Sequence, residues 1–367
     1  NRSRFTQGPV IIPASQGVDG VQNWSETPTL LTIDNFNETS TTASDYFGRV
    51  LAIHGDVAVI GAHGEDWRLV NTTNNNSGVV YVVNSSTGAL LHTLINPDGL
   101  GNARSNDNFG YSVDISADYI IVGAHNDQAL NGRYGSGSVY VFDRSDYSLL
   151  HHIPHPSPDY NYDYFGKSVA IDGKYAIVGA PGEEQSGVSD NDYSNNNGGV
   201  VYIYDIEGTN PTNYIKRYDN PSRSSRNNMG HDVDVSGDYA VWGAPYPRGT
   251  NGRAGFYIHN IVTDVTSLIT PPSTNWTAYS YFGHGVAIMG NHAVVTAYLY
   301  DDTSNNTTDE GVAYVYDTET NVLLATLRNP RAGSLSNNRF GYSVDISEDY
   351  IVIGSPYISQ YPAGPWN

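Results

Sequence analysis

A chain of 367 residues that is 39% apolar has enough hydrophobic material for its own core, as one large repeat array or as two or three ordinary domains. Its formal net charge of −20, with no Lys/Arg run as a local exception, excludes nucleic acid and anionic lipid as partners. Cysteine is absent, which removes disulfides, thiolate metal sites and cysteine nucleophiles together, and no apolar stretch approaches the ~18 residues of a membrane-spanning helix. The 29 Tyr and 38 Gly, among many Asn, Ser and Thr, read as β-structure with turn-forming loops. The chain opens on Asn1 without a positively charged apolar leader and is read as a processed mature chain or a fragment.

From the N-terminus, "GPVIIPA" (8–14) and "GVQNWSE" (20–26) each fit a short strand, with Pro9 and Pro13 favouring an edge or extended position. "TLLTIDN" (29–35) has a strand pattern carried by Leu30, Leu31 and Ile33, and "ETSTTAS" (38–44) reads as a short link. A recurring unit follows. It opens on Phe47-Gly48, Phe109-Gly110, Phe165-Gly166, Phe282-Gly283 and Phe340-Gly341, with Met229-Gly230 as a degenerate sixth copy. Alternation after the pair, as in Tyr111-Ser112-Val113-Asp114-Ile115, predicts a strand with two unlike faces. A tight turn comes next, at His54-Gly55-Asp56, Asp172-Gly173-Lys174, Ser236-Gly237-Asp238 or Met289-Gly290-Asn291, where glycine supplies the positive φ of a short hairpin. The second strand, as in "YIIVGA" or "YAVWGA", is apolar without alternation, which predicts burial on both faces. A loop rich in Asn, Gly, Asp and Ser leads to a third strand: "GVVYVVN" (78–84), "GSVYVFD" (137–143), "GVVYIYD" (199–205), "GFYIHN" (255–260) and "GVAYVYD" (311–317). A fourth segment such as "LLHTLINP" or "LLATLRNP" closes the unit, and helical periodicity is missing throughout.

Four antiparallel strands per unit predict an all-β fold, a β-propeller whose blades bury their faces against neighbouring blades. At this point "DYFGKSVAIDGKYAIVGAPGEE…GGVVYIYD" resembles the FG-GAP repeat, found in integrin α-subunit propellers and many bacterial surface proteins, and the likeness runs from residue 45 to about 357. The resemblance implies a propeller displayed outside the cell. Integrin-type repeats often carry an Asp-x-Asp-x-Asp-Gly calcium loop between the first two strands; here that link is a two-residue hairpin, so those calcium sites carry over to no position of this sequence.

Six units predict six blades, with seven as the alternative, in a single domain over 1–367. The sixth unit supplies two strands (340–346 and 350–355) and then only a short tail, whereas "TLLTIDN" matches "LLATLRN" (323–329) and precedes the first Phe-Gly as every fourth strand precedes the next unit. The segment 1–44 is therefore expected to complete the last blade, within one chain or in the next molecule of a polymer.

The first strand of each blade runs beside the central channel, so the residues after each Phe-Gly are expected at its mouth: Arg49, Tyr111, Lys167, His231, His284 and Tyr342. As a set they suit β-elimination of uronic-acid polymers, with His as base, Tyr as acid and cations holding a substrate carboxylate; the plainer reading is the polar lining of a wet channel. His151, His152 and His155 in "HHIPHP" are read as an exposed outer strand, since alternation puts His152 opposite the other two. Loop carboxylates offer Ca²⁺ candidates at Asp190, Asp192, Asp301, Asp302 and Asp309, with solvated loop charge, as for Glu65, Asp66, Glu183, Glu184 and Glu310, the plainer reading. No other cofactor is expected. Asn-x-Ser/Thr sequons at Asn23, Asn37, Asn71, Asn75, Asn84, Asn275, Asn305 and Asn306, with another at Asn1, are compatible with glycosylation of a secreted protein. The leading functional reading is a non-enzymatic extracellular or cell-surface module for protein or glycan interaction, adhesion, matrix or filament assembly, its partners other copies of itself or extracellular protein and glycan. A polysaccharide lyase and a glycan-binding lectin are the alternatives.

Overall fold

In a computed structural model of the chain, the described residues are 10–13, 33, 36, 45–66, 76–97, 106–128, 133–158, 162–184, 198–221, 227–246, 254–272, 280–301, 308–329 and 337–356. Among them every element is a β-strand. The chain divides into two compact units, one holding Ser25–Gly237 and the other Arg2–Trp24 with Asp238–Asn367.

β1 is Val10–Pro13, and the first unit then holds three consecutive four-stranded antiparallel sheets. They are β2 (Val50–His54), β3 (Val57–Ala62), β4 (Val79–Asn84) and β5 (Leu90–Ile95); β6 (Ser112–Ile115), β7 (Tyr119–Ala124), β8 (Ser138–Asp143) and β9 (Leu149–Pro154); and β10 (Ser168–Asp172), β11 (Tyr175–Ala180), β12 (Val200–Asp205) and β13 (Lys216–Asp219). Each sheet has its strands in sequence order, as short hairpins and local loops require. β14 (Val233–Ser236) ends the unit, and β10 packs beside it as β6 packs beside β2 and β10.

The second unit holds β15 (Tyr239–Ala244), β16 (Gly255–Asn260) and β17 (Val265–Ile269), paired in that order, and the four-stranded sheet β18 (Val286–Met289), β19 (His292–Ala297), β20 (Val312–Asp317) and β21 (Leu323–Arg328). β22 (Val344–Ile346) and β23 (Tyr350–Ile353) form its last hairpin, and β1 adds to the free edge of β23 in the register Val10↔Ile353 to Pro13↔Tyr350. Of the two N-terminal segments read as strands, "GPVIIPA" thus supplies this one; 20–26 lies outside the described residues. So does 29–35 except Ile33, which is in no strand and, with Phe36, is half-buried against Ile60, Val79 and Tyr81 of the first sheet.

Second strands are buried along almost their whole length, as unbroken apolar runs require: β7 and β11 each expose only their first Tyr in part. One face meets the preceding sheet and the other the next, so Val122 and Tyr140 pack with Val80 and Val82, while Ile121 and Val139 pack with Val169 and Val178. The phenylalanine of a Phe-Gly enters such a seam: Phe109, Phe165 and Phe282 are fully buried, and Met229 fills the same place, while Phe47 is half-buried against the first sheet. The glycine after it solves a backbone problem. Tyr111 N donates to Asn108 O at 3.1 Å, closing a type II turn whose third residue, Gly110, has φ 83°. Its counterpart across the seam is as constrained, because a Cβ on Gly123 would collide with the Gly166 carbonyl and with Ser112 Oγ.

That second clash reveals a rule within the sheets. The residue of the first strand facing this glycine is Ser112 or Ser168, and its hydroxyl donates to the carbonyl of the next turn's glycine, Gly166 or Gly230, at 2.8 Å in both. In the sheet of β18 and β19 the two roles are exchanged: Gly285 stands on the first strand, and the fully buried Thr296 on the second accepts from Gly285 N at 2.9 Å. One partner must be glycine, and which strand carries it is free. Thr296→Gly should cost about 2–4 kcal/mol, and Gly285→Ser, whose Cβ would meet Thr296 Oγ1 at 2.9 Å, about 1–3 kcal/mol. The double variant should cost well under the sum of the two in urea unfolding; strict additivity would show that the pair is not coupled.

Candidate functional site

Every Phe-Gly turn fixes two side chains beside it, the residue before Phe and the residue after Gly. The residue before Phe has positive φ in all six copies: Tyr46 (55°), Asn108 (57°), Tyr164 (56°), Asn228 (52°), Tyr281 (55°) and Arg339 (53°). Asn tolerates this conformation through local hydrogen bonding; for Tyr or Arg it costs about 1–2 kcal/mol. Strain of this kind at a surface turn directs attention to what the side chain does there.

In the first unit these positions assemble with two histidines that follow the Gly-Ala ends of β3 and β7. Tyr46 stacks on His63 at 4.8 Å between ring centres, His63 meets Tyr111 edge-on at 5.0 Å, Tyr111 lies 3.9 Å from His125, and His125 lies 5.6 Å from Tyr164. The Arg49 guanidinium sits over both Tyr46 (5.6 Å) and Tyr111 (5.5 Å), and the Lys167 ammonium over Tyr164 at 5.2 Å. Arg49, Tyr111 and Lys167 thus belong to one aromatic row with two cations over its rings. His231 holds the same turn position, its N–H donating to Asn228 O at 3.0 Å.

The second unit has its own set. His284 lies 4.3 Å from Tyr298 and 5.5 Å from Tyr342, and Tyr298 also meets Tyr281 (5.4 Å) and Tyr342 (5.5 Å). Sequence reasoning missed Tyr46, Tyr164, Tyr281, His63, His125 and Tyr298. Their signal was offset: each stands directly before a Phe-Gly or directly after the small pair that ends a second strand.

Burial sets the acid–base character. His63 is lowered to about 4 by burial and then by the Arg49 charge; His125 to about 3 by burial and then by Lys167, His63 and Arg49. Burial likewise lowers His284 to about 4 and raises Tyr298 to about 12, and Lys167 is lowered by burial and by Arg49. An effective general base has a pKa near the operating pH, so these three histidines are weak bases for carbon-proton abstraction.

Other candidates fall elsewhere. The three histidines of "HHIPHP" are not exposed, although alternation holds from His151 to Pro154 and sets His152 apart from the other two. His151 bonds Ile206 O at 3.0 Å, His152 stacks on Tyr140, and the buried His155 reaches Glu183 Oε2 at 3.1 Å. Glu65 and Glu183 are buried, not solvated. Tyr81 OH donates to Glu65 at 2.7 Å and Tyr202 OH to Glu183 at 2.8 Å, with Arg217 ion-paired to Glu183 at 3.1 Å. Of the Ca²⁺ candidates, Asp309 N donates to Asp301 Oδ1 at 2.9 Å, and burial with the Asp301 charge raises the Asp309 carboxyl. Asp190, Asp192 and Asp302 lie outside the described residues, among which no group of three His, Asp or Glu is placed to hold a metal. Of the sequons only Asn84 is described. Its Oδ1 accepts from Ser86 N, Thr87 N and Thr87 Oγ1, an Asx turn capping the third-strand hairpin as Asp143 and Asp317 do in theirs.

An all-β chain of repeated four-stranded antiparallel sheets, entered through Phe-Gly turns and packed face to face on neighbours within each unit, is a β-propeller. The FG-GAP repeat family matches residues 39–83, 100–142, 157–204, 273–316 and 333–364, more than half of the chain, and the protein belongs to that family. The Met229-Gly230 copy is not among the matches, yet Gly230 has φ 79° and His231 N closes the same turn. A comparison with curated proteins finds no match.

The buried histidines give the fold an acid sensitivity with a definite sign. Below pH 6.5 the unfolded chain takes up protons that His125 in the folded chain refuses until about pH 3, so stability falls as pH falls through that window. Between pH 6.5 and 4.5 this one residue should account for about 2–3 kcal/mol. His125→Phe should flatten the decline by that amount in denaturant unfolding at the two pH values; an unchanged slope would show that His125 titrates normally.

Proposed function

We propose that this protein is a non-enzymatic recognition module outside the cell or on its surface, built as one six-bladed ring whose repeat-borne aromatic rows contact a partner. Family membership supports an interaction role, and no helix among the described residues is long and apolar enough to cross a membrane. The observation that carries the reading is the row Tyr46–His63–Tyr111–His125–Tyr164: rings in mutual contact, on strained turns, with histidines too weakly basic for elimination chemistry. Tyr46 is 50% exposed, and Tyr162 beside Tyr164 is 54% exposed, which leaves large aromatic surface available to a ligand. Incubated with polygalacturonate and other uronic-acid polymers, the protein should release no unsaturated product. Robust turnover, abolished by His231→Ala with His284→Ala, would establish the lyase instead.

The proposal includes completion of the last blade by residues 1–44. Its support is the pairing of β1 with β23, which covers a row of backbone groups beside the buried Ile351 and Ile353. Each buried group left without a partner would cost about 1–3 kcal/mol. Deleting residues 1–35 should lower the melting temperature or, if the segment is exchanged between molecules, release subunits from an assembly seen by electron microscopy, and the free peptide should partly restore either. A deletion variant unchanged in both would show that this edge is protected in another way.

A further inference from the structure

In a chain of net charge −20, the aromatic row of the first unit carries two cations over its rings, while the carboxylates next to it in sequence, Asp45 and Asp163, are buried. Arg49 is exposed and Lys167 half-buried, and among the described residues neither makes an ion pair. Besides burial, His125 is lowered by Lys167 and Arg49, both cations of this row. Arg144, Lys174 and Arg217 each have a carboxylate within 3.6 Å, so the two unpaired cations are not the general habit of this protein. A half-buried ammonium without a counter-ion is lowered in pKa by burial, as Lys167 is, and an anion arriving beside it relieves that cost.

We infer that the row Tyr46, Tyr111, His125 and Tyr164 with Arg49 and Lys167 binds an acidic saccharide, the anionic group held by the two cations and the apolar face of the sugar ring laid on the tyrosine rings. This rests on the recognition reading above and names the ligand class for that site. Aromatic faces suit a pyranose, which offers a C–H face and a hydroxyl rim, and the tyrosine hydroxyls complement that rim. A guanidinium already set over two rings is oriented for a carboxylate or sulfate before the ligand arrives, which lowers the ordering cost of binding.

Calorimetry of the full chain with trigalacturonate, its methyl ester, a sulfated oligosaccharide and a tetraglutamate peptide tests this. Trigalacturonate, the sulfated oligosaccharide or both should bind, weaken with added salt, and lose at least tenfold in affinity in Arg49→Gln and in Lys167→Gln, while the neutral ester binds no better than to the variants. Arg49 is exposed, so its variant should melt as the parent does and separates loss of ligand contact from loss of fold. Equal affinity for acid and ester, or affinity unchanged in both variants, overturns the inference. Binding of the peptide alone overturns it in favour of an acidic protein partner and leaves the recognition reading standing. Unsaturated products would instead bring down the non-enzymatic reading itself.

Discussion

The contact between backbone and backbone at the Phe-Gly turn is the constraint on which the rest depends. The carbonyl of Gly166 lies so close over Gly123 that no side chain fits between them, and Gly110 meets Gly61, Gly230 meets Gly179 and Gly283 meets Gly243 in the same manner. That approach lets consecutive first strands lie side by side, as β2, β6 and β10 do, and it seats the phenylalanine in the seam. It also determines what a ligand meets. A type II turn held this firmly presents the residues before and after the Phe-Gly at the end of the sheet, so a change of residue there alters the surface without touching the core. Tyr46 and Arg49 differ from Asn108 and Tyr111 in every chemical property, and the turns that carry them keep the same hydrogen bond at 3.1 Å.

The base of four of the long loops is secured separately. Gly78 N donates to Glu65 O, Gly137 N to Asp127 O, Gly199 N to Glu183 O and Gly311 N to Tyr300 O, all between 3.0 and 3.2 Å. The two ends of the loop are thus joined at the sheet whatever lies between them, which is why the lengths vary from repeat to repeat while the third strand begins at the same place. In the first unit a side-chain tether adds to this clasp, from Tyr81 to Glu65, Tyr140 to Asp127 and Tyr202 to Glu183. Burying a carboxylate is costly unless hydrogen bonds or opposite charge compensate it. At Glu183 the compensation is most complete, with Tyr202, His155 and Arg217 all turned on one group.

Strand order, hairpin turns, the twofold burial of second strands and even the degenerate fourth repeat were legible because they depend on neighbours in sequence. "YIIVGA" and the alternation after Phe-Gly carry their own geometry. What could not be read depends on register between distant segments. Nothing in "HHIPHP" announces that Glu183 of the next repeat would lie against His155, or that Glu65 would lie beneath Tyr81. The exchange of Ser and Gly for Gly and Thr across Gly285 and Thr296 is visible in the letters once the register is known, and invisible before. At the candidate site the residues after Phe-Gly were found from the repeat, but their histidine neighbours come from the end of another strand, so only half of the row was legible.

Charge distribution explains why that row stands apart in an acidic molecule. Many carboxylates have structural duties: Asp143 and Asp317 cap hairpins and are held low by those bonds, Asp205 pairs with Lys174, and Glu65 and Glu183 are sealed under tyrosines. The carboxylates in the turns that bear Arg49 and Lys167, Asp45 and Asp163, are themselves buried. His63 and His125, kept neutral at physiological pH by burial and by those same cations, leave the positive field of the row to two side chains, one exposed and one half-buried. An anion approaching Arg49 therefore meets its attraction where the Tyr46 ring is also exposed, so steering by charge and gain from ring contact act together there.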